Sequence, residues 1–136
     1  MIPLTIAIVL TALAAVVVVL TRVRLGRNDG EAAGRLSIPK SLVNTHTGAG
    51  ALALLTWTAF LATEIGGLGW LGLLGWWVTV VAGLLILARW VPAQGRHSAA
   101  PAADTWSEGP GLSFLAHGGL LVGVCVFTAL LARGEL

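Results

Sequence analysis

Apolar residues along this chain gather into four long runs, parted by short stretches rich in polar residues, glycine and proline. A helix needs roughly 20 residues to cross about 30 Å of hydrocarbon. Four stretches meet that length: Ile2 to Leu20, Leu42 to Ala62, Trp70 to Trp90 and Leu112 to Ala132. Their ends carry the expected punctuation. Pro3 sits where a helix start tolerates proline, and Ser37 and Pro39 mark a capped start before the second run. Trp70 and Trp90 bracket the third run, as rings that favour the membrane interface do. Gly109-Pro110-Gly111 breaks the chain before Ser113 opens the fourth. The pattern predicts an all-α, integral membrane four-helix bundle, a single domain over 1–136 with linkers at 21–41 and 91–111.

Composition points the same way. Apolar residues make up 57% of the 136-residue chain and charged residues 10%, against about 25% charged in soluble domains. Mean hydropathy is +0.90. Too few charged side chains exist to cover a water-facing surface, and a net charge of +2 gives no footing for nucleic acid. Cys125 is the only cysteine, so no intrachain disulfide can form. Arginine-heavy basic usage with abundant Ala, Gly and Leu suggests a bacterial source, hence a multi-pass protein of the bacterial inner membrane.

The basic residues set the expected direction. Arg22, Arg24, Arg27, Arg35 and Lys40 follow the first run, and Arg89 and Arg96 follow the third, leaving Arg133 alone on the opposite side. By the positive-inside rule both linkers are cytoplasmic and both termini lie outside. No charged residue precedes the first run, whereas a signal peptide carries positive charge there, so this run reads as a retained anchor.

Two histidines lie within runs. In the alternating topology the second and fourth helices are parallel, with His46 and His117 each four or five residues past a cytoplasmic start. At 1.5 Å per residue both imidazoles sit on the order of 6–8 Å inside that edge. Gly48, Ala49, Gly50, Ala51 and Ala53 follow the first, and Gly118, Gly119 and Gly123 the second. Such small residues serve either close helix contact, with Gly119 and Gly123 at small-xxx-small spacing, or space for a flat macrocycle. Protein ligands to haem iron are His, Met, Cys or Tyr. The chain has no Tyr, and its one Met is Met1. One haem b, if bound, would therefore take His46 and His117 as axial ligands, with Lys40, Arg35 and Arg96 available to its propionates. The competing readings are hydrogen bonding between helices or to a partner subunit, and a quinone or proton-handling role. Asn44, Thr45 and Thr47 either orient His46 or form a polar helix end, the latter being favoured. His97 falls in a linker, where it is solvated.

Paired histidines on neighbouring membrane helices resemble the small four-helix b-type membrane cytochromes over residues 42–132. That resemblance implies electron transfer within a respiratory or redox membrane complex, with one haem rather than two. The alternative is a cofactor-free accessory subunit. Partners on either reading are lipid, other membrane subunits or a second copy, and a quinone on the first.

Other chemistries lack their parts. No run carries an acid or base near its midplane, as transport normally requires. His117 near Ser113 has neither an acid nor an oxyanion motif beside it, and a metal site from the three histidines has no carboxylate or thiolate. Gly66, Gly67, Gly69, Gly72 and Gly75 precede no Lys-Ser/Thr pair and so form no phosphate loop. Reporter fusions after Gly95 should behave as cytoplasmic and fusions after Leu136 as external. The reverse pattern would overturn the topology.

Overall fold

The computed structural model describes residues 2–27, 40–90 and 110–136, with side chains for 2–19, 41–88 and 114–136. The described residues are all-α: α1 Ile2–Arg27, α2 Lys40–Thr63, α3 Gly66–Trp90 and α4 Pro110–Ala132. Each overlaps one predicted run, and α1 continues past Leu20 through its arginines. Arg35, Arg96 and His97, with the cap Ser37-Pro39 and most of both linkers, lie outside the described residues.

Three helices are long and apolar enough to cross a membrane, over Ile2–Val19, Gly66–Ala88 and Phe114–Ala132. α2 falls short by composition, because its first third carries Asn44, Thr45, His46 and Thr47 among glycines and alanines.

α2 and α3 form an antiparallel hairpin packed along its whole length, while α4 leans on α3 and α1 lies lightly against α2 and α4. The connection is tight. Glu64 takes a left-handed conformation (φ 57°) and its N–H donates to Phe60 O at 2.7 Å, closing α2 in the manner of an αL cap. α4 ends similarly: Gly134 has φ 65°, and Glu135 N donates to Leu130 O at 3.0 Å.

What lets the hairpin close is a row of glycines on α3. A Cβ on Gly72 would stand 2.9 Å from the backbone nitrogen of Trp57, and one on Gly75 would stand 2.9 Å from Ala53 Cβ. Gly69 meets the Phe60 ring, and further along Thr79 meets Gly50. These positions recur every three or four residues, so they share one face of α3, and small residues on such a face let backbones approach. Trp57, Trp76, Phe127 and Val124 fill the interior at the hairpin's edge, with the Trp57 and Phe127 rings stacked at 4.6 Å between centroids.

Threonine hydroxyls in this setting satisfy themselves locally. The hydroxyls of Thr11, Thr79 and Thr128 donate to the carbonyls of Ala7, Gly75 and Val124, each one turn back at 2.7–2.8 Å. Trp77 Nε1 then donates to Thr128 Oγ1 at 3.1 Å, tying α3 to α4.

The close-contact face expected at Gly119 and Gly123 is not there. A Cβ at either position would have nothing within 4 Å, because α4 turns its Val124 and Phe127 face inward instead. Gly72→Ala should therefore lower stability in detergent by about 1–3 kcal/mol, the range for overpacking a filled interior. Gly119→Ala should leave the thermal midpoint unchanged, and equal effects of the two would overturn the seam.

Candidate functional site

The same face of α3 that seats α2 also receives the two histidines. Along the hairpin, contact passes from Gly72–Trp57 to Gly75–Ala53, then to Thr79–Gly50, and arrives at Gly83 opposite His46. α4 brings His117 to the same point. A Cβ on Gly83 would lie 2.6 Å from His117 Cδ2, 2.8 Å from its Nε2 and 3.0 Å from His46 Cε1. A side chain at 83 would occupy the space both rings use and would displace them. Residues 71 positions apart in sequence thus meet as neighbouring rings.

His46 is fixed by its Nδ1, 2.9 Å from the carbonyl oxygen of Thr79. A carbonyl can only accept, so Nδ1 carries the proton and donates. A neutral His46 then has its lone pair on Nε2. Thr79 lies one turn before Gly83, so a single turn of α3 both orients the imidazole and gives it room. This is the arrangement by which a backbone carbonyl commonly sets the tautomer of a metal-binding histidine.

The two ring centroids are 6.0 Å apart with planes inclined by 23°. Ring atoms lie about 1.1 Å from the centroid, so no nitrogen of one ring approaches the other within about 3.8 Å, beyond hydrogen-bond reach. A direct His–His hydrogen bond is therefore excluded. Imidazole nitrogens bind first-row metal ions at about 2 Å, so one ion between two rings needs nitrogens about 4 Å apart. The observed spacing is too long for a shared proton.

The described surroundings carry little charge. Glu64 and Glu135 are the described acids, each just past the far end of the helix that carries a histidine. Cys125 is exposed and about two turns beyond His117. No group of three His, Cys, Asp or Glu side chains that could hold a metal ion occurs among the described residues. Lys40 opens α2, six residues before His46, while Arg35 and Arg96 lie outside the described residues.

Gly83 and the Thr79 carbonyl escaped the sequence reading, although Gly72, Gly75, Thr79 and Gly83 keep a helical spacing that was there to be found. Family models, curated proteins and solved structures give no match to the chain, so function rests on this geometry. With ¹⁵N-labelled histidine, magnetic resonance should find His46 as the Nδ1–H tautomer. The Nε2–H form would mean that the Thr79 bond is not made.

Proposed function

We propose that this chain is a small membrane-embedded electron-transfer subunit, a four-helix bundle with both termini outside, that holds one haem b between His46 and His117 in the bacterial inner membrane. The observation that carries this reading is the pair of imidazoles at 6.0 Å, with the His46 Nε2 lone pair fixed by the bond from Nδ1 to Thr79 O. The donor set fits bis-imidazole iron, a ligation that haem proteins use for electron transfer.

The chain's own residues divide the work. Thr79 O holds the tautomer and plane of His46. Gly83 keeps α3 clear of both rings. Lys40, with Arg35 and Arg96, would receive propionates at the cytoplasmic edge. Haem b, when bound, would supply a one-electron couple, and a respiratory or redox complex in the same membrane would supply its partners, a quinone among them. Seating the macrocycle also requires both rings to withdraw from Gly83. α4 is the helix able to yield, since α2 is locked to α3 along the glycine row.

That closure on Gly83 is the observation favouring the second reading, a cofactor-free accessory subunit in which the histidines fill a polar joint between helices. Haem quantification as the pyridine haemochrome separates the two. Wild type expressed with ample haem should carry one haem per chain, His46→Ala and His117→Ala should each carry none, and His97→Ala should match wild type. Haem-free wild type would leave the accessory reading standing.

A further inference from the structure

The glycines of α4 do no packing of the kind seen on α3. Gly118 and Gly119 are exposed, and a Cβ on Gly118, Gly119 or Gly123 would have nothing within 4 Å among the described residues. On α3, by contrast, glycine is what lets α2 close. Three glycines within six residues of α4 therefore give no close approach there. What they give is backbone freedom, since glycine reaches conformations closed to other residues, and sharp bends in helices concentrate at proline and glycine-containing points.

Their place between two differently held parts of α4 gives that freedom a use. From Val124 onward the helix is anchored. Val124 and Phe127 are 0% and 1% exposed, Phe127 stacks on Trp57 at 4.6 Å, and Trp77 Nε1 donates to Thr128 Oγ1 at 3.1 Å. Before the glycines, Phe114 and Leu115 are 47% and 63% exposed, and His117 presses so closely on α3 that a Cβ on Gly83 would stand 2.6 Å from its Cδ2. Leu120 and Leu121 rest on the core from within the glycine stretch, which seats the segment without fully burying it.

We propose that Gly118–Gly123 is a hinge in α4. Bending there lifts the turn that carries His117 off Gly83, while α4 beyond Val124 keeps its place on α3. Six residues separate His117 from Gly123, an arm of about 9 Å, so a bend of about 20° carries its end roughly 3 Å. His46 stays with the Thr79 carbonyl, and the pair parts chiefly by movement of His117. Its purpose rests on the haem reading, because seating a haem requires the rings to part. The motion itself belongs to the haem-free chain.

The test uses the full chain in lipid nanodiscs without haem, on a Cys125→Ser background, with spin labels paired at exposed positions. The inner pair is Phe114→Cys with Leu85→Cys, and the outer pair is Ala129→Cys with Leu74→Cys. Double electron–electron resonance should find two distances for the inner pair, separated by roughly 3 Å or more, and one for the outer pair. Gly83→Ala should move the inner pair wholly to the longer distance. Gly118→Ala, Gly119→Ala and Gly123→Ala combined should hold it at the shorter one. The outer distance should stay constant throughout, which also shows that each variant remains folded. A single inner distance in wild type that ignores Gly83→Ala, or inner and outer distances that shift together, would overturn the hinge. So would a combined alanine variant that turns a dimer into a monomer with its distances unchanged, since the glycines would then serve a second copy. Two inner distances in a chain that never takes haem remove the haem reading alone, and haem binding with one fixed inner distance removes the hinge alone.

Discussion

The structure depends on one face of α3 having almost no side chains. Where Gly72 and Gly75 meet Trp57 and Ala53, the helices are separated by backbone and Cβ contact alone. In lipid no hydrophobic force draws helices together, so close packing of this kind and interhelical hydrogen bonds have to hold them. The hairpin is therefore the rigid part of the molecule, and α1 and α4 are accessories to it. The aromatic cluster of Trp57, Trp76 and Phe127 then packs at the hairpin's edge, where α4 supplies the ring the glycines leave room for.

Function, on any reading of the histidines, is set by where that seam ends. Antiparallel contact advances one turn of α3 for each turn of α2. The seam's last small residue, Gly83, consequently falls opposite His46, and the Thr79 carbonyl one turn earlier falls within reach of Nδ1. A polar ring packed among apolar helices would otherwise lack a partner, which is why such groups face the interior. His117 arrives on a helix held less firmly, so of the two imidazoles it is the adjustable one. Orientation thus resides in α2 and α3, and adjustment in α4.

Much of this was legible in the residues. Four apolar runs located four helices, and the matching positions of His46 and His117 near the starts of their helices foretold their meeting, because position along a straight helix is simply residue count. Which face meets which helix was not legible from spacing alone. Gly119 and Gly123 have the spacing of a contact motif, yet they face open space, since the bulk of Val124 and Phe127 decides which side of α4 turns inward. Gly69, Gly72 and Gly75, which the sequence showed only to form no phosphate loop, proved to be the seam. Small-residue spacing specifies that a face is flat, and only the bulk on competing faces specifies that it is used. The propionate partners assigned to Arg35 and Arg96 belong to segments outside the described residues, so that part of the site rests on topology.

What an occupant of the histidine pair would need follows from where the described charges lie. Glu64 and Glu135, the described acids, stand just past the far ends of α2 and α4, so among the described residues none offsets a charge placed beside the rings, and a buried charge without a partner is costly. A porphyrin brings its own two negative charges, so ferrous haem would be neutral at its centre and would ask only for axial donors. The proposed haem is therefore matched in charge to the described surroundings of the rings, and what it would have to displace is their closure on Gly83.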